Sequence, residues 1–308
     1  MTNIQLSRHT RSRFRRGLPL RLMILPGLII VFIFSYIPLG GLIIAFQKFI
    51  PAKGLFGQQK WVGLQNFEYI LALPNTMNVI RNTVVIAFWK ITLRLIIPVV
   101  VALLLNEVAN LAFKRAVQTI VYFPHFLSWI IFGGIMLDIL SPSSGIVNKL
   151  LGLFGVGPIY FLGDKNYFQA TIIFTDLWKS FGYGTIIYMA ALTGIDPNLY
   201  EVSAIDGANR WQQTIHITLP GISSTIVLMM VLSLGNVLNA GFDQIYNMYS
   251  PIVYETGDIL DTMIYRLGLE SAQYGPAAAL SFFKSIISCI FVSVSYWVAY
   301  RFFRYSLF

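Results

Sequence analysis

One cysteine, Cys289, stands among the 308 residues, and charged side chains make up only 11% of them. A single thiol cannot close a disulfide within the chain, so a cross-braced secreted scaffold and a cysteine-rich zinc cluster are excluded. Histidine is almost as scarce. His9, His125 and His216 lie far apart and do not have the spacing of a metal site. Soluble chains carry about 25% charged residues, so this one has less than half the charge that a soluble surface uses. Alternating segments of about ten residues, the mark of a membrane barrel, do not occur. There is no Gly-x-x-x-x-Gly-Lys-Ser/Thr run to cradle nucleotide phosphates. Apolar residues are plentiful instead: 56% are hydrophobic and 15% aromatic. That balance fits an all-α integral membrane protein with several spans.

Six apolar runs predict six transmembrane helices: Leu22–Phe46, Val79–Leu105, Val117–Leu140, Tyr167–Gly194, Gly221–Phe242 and Pro276–Phe303. About 20 residues cross the hydrocarbon core, and a spanning backbone must satisfy its own hydrogen bonds, which makes these runs helices. The first run is longer than the apolar part of a signal peptide, and no small-residue cleavage site follows it. The chain divides into a basic N-terminal segment (1–21), a first span with its external loop (22–78) and a five-span core (79–308).

The +9 net charge is unevenly placed. Eleven basic residues fall on the side of the termini and the 106–116 and 195–220 loops, six on the other side and five within spans. The positive-inside rule then puts both termini in the cytoplasm. This topogenic use of charge argues against nucleic acid as a partner. The N-terminal segment is either a solvated tail or a short helix resting on anionic membrane lipid through Leu6, Phe14 and Leu18.

The 194–220 loop carries the most information. Asp196-Pro197 fits an N-cap followed by proline at the first helical position, Leu199–Ala204 suits a short helix, and Gly207 supplies a turn. Glu201, Gly207, Ile217, Leu219 and Pro220 keep the spacing Glu-x5-Gly-x9-Ile-x-Leu-Pro. This resembles the EAA loop of bacterial ATP-binding-cassette import permeases, with Val202-Ser203 in place of Ala-Ala. Asp206-Gly207-Ala208 resembles the form found in sugar permeases. Trp61–Phe67, Arg81-Asn82-Thr83, Leu105-Asn106-Glu107, Tyr122–His125 and Gly241-Phe242-Asp243 resemble the branch that imports complex oligosaccharides, including the acidic polysaccharide alginate.

The resemblance implies the type I importer permease fold, in a multi-pass subunit of the bacterial cytoplasmic (inner) membrane with no catalytic residues, cofactor or metal of its own. It implies a second permease subunit forming a heterodimer, and two cytoplasmic ATPase subunits holding ATP and Mg. An external or periplasmic solute-binding protein would dock on the long loops 47–78, 141–166 and 243–275. Glu201, Ser203, Asp206, Gly207, Ala208 and Pro220 would form the coupling element that meets the ATPase.

Ionisable groups inside a bilayer are expensive and need a reason. Lys90 and Arg94 share one helix face at i, i+4, as do Asp176 and Lys179 at i, i+3, and Lys284 lies in the last span. Two readings stand. These groups pair structurally, Asp176 with Lys179 or Arg94, while Lys284 snorkels outward; or they line a cationic pathway for an anionic cargo. The excess of five basic residues over two acids in the spans favours an acidic oligosaccharide. Further pathway candidates are His125, Ser128, Trp129, Ser180, Tyr183, Asn236 and Asn239, whose rings, amides and hydroxyls suit sugar. For the two asparagines, bonding between helices is the other reading. A same-fold permease for a neutral oligosaccharide or another small solute is the alternative. A membrane enzyme is disfavoured because Asp138 and Asp176 are the only carboxylates in spans and lie on different helices. A self-contained secondary transporter should show inverted repeats.

Overall fold

The structure, a computed structural model, describes residues 18–55, 57–234 and 238–303. The basic tail with Leu6 and Phe14, and Asn236, lie outside these residues. The first run is helical throughout but changes pitch. Helix α1 (Leu18–Val31) passes through a π-helix (Phe32–Tyr36) into a 3-10 stretch (Ile37–Phe46) near Pro38. A short antiparallel pair follows, β1 (Gln47–Lys48) with β2 (Lys60–Trp61), and the Phe46 ring stacks on Trp61. Helix α2 (Gln65–Ala72) leads into the 32-residue α3 (Thr76–Glu107), which keeps Pro98 inside it.

The third expected span is not one rod. Asn110 caps α4 (Leu111–Tyr122), a 3-10 turn covers Phe123–Phe126, and Ser128 caps α5 (Trp129–Ile139). The two halves meet at 109°. Pro124 removes an amide donor and disfavours the α conformation at Phe123, and Ser128 then starts a new helix. Helix α6 (Ile146–Leu153) precedes α7 (Lys165–Leu192), which is capped by Asp164. The next loop holds α8 (Pro197–Ile205), α9 (Arg210–Gln213) and a π-helix (Thr214–Thr218). The fifth span is shorter than expected. Helix α10 (Ser223–Leu234) gives way to non-helical backbone at Asn239–Gly241 before α11 (Phe242–Met248). Gly241 has φ +93°, a left-handed conformation that side-chain-bearing residues rarely adopt. Helix α12 (Leu260–Tyr265), a π-helix (Arg266–Glu270) and α13 (Tyr274–Phe303) complete the described residues.

Among the described residues, three helices are long and apolar enough to cross a membrane: Leu22–Phe46, Thr76–Glu107 and Tyr274–Val294. Two bent pairs raise the number to five. The remaining expected span is α7. Its 28 residues give roughly 42 Å, enough for the core of a bilayer, but Asp176 and Lys179 interrupt its apolar character and are turned inward.

Helices α3 and α7 form the most extensive helix pair. Lipid is as apolar as leucine, so such pairs depend on close packing more than on exclusion of water. Gly182 shows this: a Cβ there would lie 2.2 Å from the Val121 carbonyl oxygen, so only glycine lets α7 reach the end of α4. Three buried clusters hold the bundle. One joins Ile86, Phe132, Phe168, Ile172 and Ile245. A second joins Ala45, Ile70, Val79, Leu260 and Leu280, and a third joins Val99, Ala102, Tyr188 and Ile222 beside the 194–220 loop. The first span stays largely exposed, with 6% of its apolar window buried.

Candidate functional site

Asp176, 1% exposed on α7, is the centre of the buried polar site. Arg94 grips it with two parallel bonds, Nε to Oδ2 at 2.7 Å and Nη2 to Oδ1 at 2.6 Å. Lys90, one turn earlier on α3, is 3.5 Å from Oδ1. A buried carboxylate needs such partners, because an unpaired charge out of water is costly. The sequence reading that paired Asp176 with Arg94 therefore describes the geometry. Pairing with Lys179 does not occur.

The two lysines have other tasks. Lys90 Nζ donates to the Ala240 carbonyl at 2.6 Å and to Gln244 Oε1 at 2.5 Å. Gln244 in turn donates to the Ile172 carbonyl and to Thr175 Oγ1, at 2.8 and 2.9 Å. Lys179 Nζ donates to the carbonyls of His125 at 2.8 Å and Pro124 at 3.3 Å, and lies 5.2 Å from the centre of the Trp129 ring. Each lysine thus serves a place where a span is broken. Backbone left irregular at membrane depth must find partners inside the protein.

A cavity of about 650 Å³ opens beside this cluster. Lys90, Arg94, Trp129, Asn239, Phe242 and Asp243 are among its lining residues. Arg94 is the half-exposed member, at 47%. Its Nε and Nη2 hold Asp176, and Nη1 has no protein partner among the described residues. The other expected pathway residues are placed differently. His125 stacks on Tyr183, with ring centres 4.2 Å apart and planes 7° from parallel. Ser128 Oγ accepts from the Ile131 amide as a helix cap, and Ser180 Oγ donates to the Asp176 carbonyl. Neither serine lines the cavity. Lys284 does not join the cluster; it is ion-paired with Asp261 of the 243–275 segment. Among the described residues there is no group of three side chains able to hold a metal ion.

At the other polar region, Asp196 caps α8 as expected by accepting from the Asn198 amide. Gly207, φ +82°, ends α8: its amide bonds the Ala204 carbonyl, and the Ala208 amide bonds the Ser203 carbonyl. Gln213 Nε2 donates to Ser203 Oγ at 3.0 Å, locking α9 against α8. Tyr200 and Thr218 share a hydroxyl bond of 3.0 Å, just before Pro220. Glu201 and Asp206 remain exposed, as do Val202 and Ile205.

Sequence reasoning missed several positions. Gln244 is fully buried, yet nothing in the sequence of its short helix sets it apart from the exposed Asp243 beside it. Asn82 donates to the Glu255 and Asp258 carbonyls and accepts from Gln169, tying the 250–270 segment to α3 and α7. Asp258 is held by Thr262 and Arg266. Burial alone would lower the Arg266 pKa, but the adjoining Asp258 carboxylate outweighs it and raises the pKa above the ordinary guanidinium value. Pairs such as Asn82 with Asp258 are too distant in sequence to be read from spacing.

Comparison with known proteins agrees with this architecture. Residues 106–304 match the family described as binding-protein-dependent transport system inner membrane component. The polygalacturonan/rhamnogalacturonan transport system permease protein YteP of Bacillus subtilis (strain 168) is 38% identical, over 92% of this chain and 88% of its own length. Protein LplB of the same organism is 36% identical, over 96% and 93%. A chain from the crystal structure of a bacterial ABC transporter involved in import of the acidic polysaccharide alginate superposes with a TM-score of 0.87 at 36% identity, covering 96% of this chain and 99% of that one. A second alginate transporter structure, in complex with an alginate pentasaccharide-bound periplasmic protein, gives 0.86 at 36% identity, over 94% and 96%. The chain therefore belongs to the family of binding-protein-dependent transport system inner membrane components.

Proposed function

We propose that the chain is a permease subunit of an ATP-driven importer that moves acidic oligosaccharides by alternating access. The observation that carries this is Arg94. Its guanidinium is held by Asp176 through Nε and Nη2, and the residue lines a cavity of about 650 Å³, within the usual size for a small-ligand site. A pre-oriented guanidinium suits a carboxylate better than an ammonium does. The names of the pectin-type relative and of the alginate transporters support the same cargo class.

ATP and Mg act in partner ATPase subunits, and the exposed α8 face with Glu201, Val202, Ile205 and Asp206 is the surface offered to them. A second permease closes the pathway, and a binding protein delivers cargo at the opposite end. Both termini lie in the cytoplasm, and ATP-driven closure of the ATPases rocks the helices around the Asp176 cluster. Neutral oligosaccharides are the second reading. Asp243 in the cavity wall and Asp176 behind it offset part of the positive charge.

The test is uptake into vesicles by the complete transporter, comparing uronate with neutral oligosaccharides. In the Arg94→Gln/Asp176→Asn double variant, which removes the bidentate pair together and leaves Lys90 its bonds to Ala240 and Gln244, preference for the uronate should fall about tenfold, or ~1.4 kcal/mol. An unchanged preference sinks the acidic reading. Uptake without the ATPase subunits sinks the importer reading.

A further inference from the structure

A second cavity, of about 620 Å³, adjoins the first: Asn239 and Phe242 belong to the walls of both. Its character is different. Tyr265 and Tyr274 supply aromatic faces, and Ser281 and Lys284 come from the last span. Phe242 stacks on Tyr246 with ring centres 5.3 Å apart, and Tyr265 closes the group at 5.4 Å from Phe242 and 4.8 Å from Tyr246. The wall also holds the Lys284–Asp261 ion pair, whose members keep 22% and 20% exposure. Gly268 and Leu269 of the Arg266–Glu270 π-helix form another part of it, and π-helical turns gather at functional sites.

A pyranose ring has two kinds of surface. Its axial hydrogens make an apolar face that packs on aromatic rings, and its rim of hydroxyls needs charged or polar partners. The second cavity offers both, through the Phe242–Tyr265 rings and the Lys284–Asp261 pair. Each cavity falls in the roughly 300–1,000 Å³ range of small-ligand sites. A saccharide chain that outgrows the first has a way on past the shared Asn239–Phe242 wall.

We infer that the second cavity is an additional saccharide subsite, which takes further pyranose units of an oligosaccharide whose acidic unit is held at Arg94. This rests on the reading of the chain as an oligosaccharide permease. It makes the chain a reader of cargo length: short saccharides use the first cavity alone, and longer ones use both. Tyr265 and Ser281 line only the second cavity, so they separate the two.

The experiment uses the complete transporter, with its second permease, ATPases and binding protein, in proteoliposomes. ATPase stimulation is titrated with uronate oligosaccharides of two, four and six residues. Tyr265→Ala removes the platform, Ser281→Phe fills the cavity without touching a ring, and Tyr265→Phe keeps the platform. The first two variants should weaken the half-maximal response to the six-residue saccharide on the order of tenfold and leave the two-residue response in place. Tyr265→Phe should behave as the parent protein. Equal loss at every length in Tyr265→Ala and Ser281→Phe overturns the inference by making the region structural. An unchanged length profile in both overturns it by giving the cavity to another occupant, such as lipid or a partner side chain. A parent transporter that answers to none of the saccharides refutes the proposed function itself, a result distinct from either of these.

Discussion

Asp176 is the residue on which three cations depend in different degrees. Arg94 is bonded to it twice, Lys90 sits within ion-pair distance, and Lys179 is a near neighbour without a bond. Removing one member of a buried pair costs about 3–5 kcal/mol, because the other charge stays buried without compensation. Arg94→Gln alone, which strips the buried Asp176 carboxylate of both guanidinium bonds, should therefore lower the thermal midpoint of the purified chain in detergent much more than the Arg94→Gln/Asp176→Asn double variant does. Equal losses would show that the pairing carries no coupling. By contrast, Lys165 and Glu255 form an ion pair whose members are both more than half exposed, and such pairs contribute about 0–1 kcal/mol. Glu255→Gln should leave the midpoint nearly unmoved. The i, i+4 and i, i+3 spacings identified these charged groups from the sequence, because cost alone singles out charge in a span. Spacing within one helix could not pair them, since each partner chosen lies on another helix or in a loop. Asp261, assigned to an external loop, proved to be the partner of Lys284.

The broken helices were harder to foresee than the intact ones. A hydropathy run reports length and apolarity, and these recover α3 and α13 with little error. It is nearly blind to a bend of 109° within an apolar run. Pro124 was a signal for that break, yet Pro98 sits inside an unbroken helix, so proline by itself does not decide. What decides is whether the freed carbonyls find a donor, and Lys179 is that donor for Pro124 and His125. Lys179→Met keeps the length of the side chain and removes the donor. It should speed amide hydrogen exchange across 123–128 while leaving α3 protected, and unchanged exchange there would remove Lys179 from this role. The 194–220 loop was more legible, because caps and turns are local. Gly207 holds φ +82°, where a Cβ costs about 1–2 kcal/mol. Gly207→Ala should loosen the α8–α9 corner, and Glu201→Ala should strip the α8 face of its carboxylate. Both should let ATP hydrolysis proceed with less uptake, measured as the ratio of the two rates in vesicles. Normal coupling in both variants would place the ATPase contact elsewhere.

The arrangement of the bundle brings Lys90, Arg94, Trp129, Asn239 and Asp243 to one cavity from three separate stretches of chain. Rocking about that cavity would expose it to each side in turn. The single cysteine makes this measurable. Cys289 is exposed on the last span, so Cys289→Ser should be nearly silent in stability and uptake. In that background Asn239→Cys should react with a membrane-impermeant thiol reagent from one face at rest and from the other during ATP turnover. Labelling from one face under both conditions would contradict alternating access. The placing of Lys90 also bears on redesign. A Cβ at Gly241 would lie 2.9 Å from Lys90 Nζ, and the lysine is itself closed in by Ala240 and Gln244. That position is built for a slender ammonium and would reject a guanidinium. Arg94, one turn along the same helix, faces open space. An engineer who wishes to change what this transporter accepts can alter position 94 when Asp176 is changed with it and has no such route at position 90, although the two residues carry the same charge.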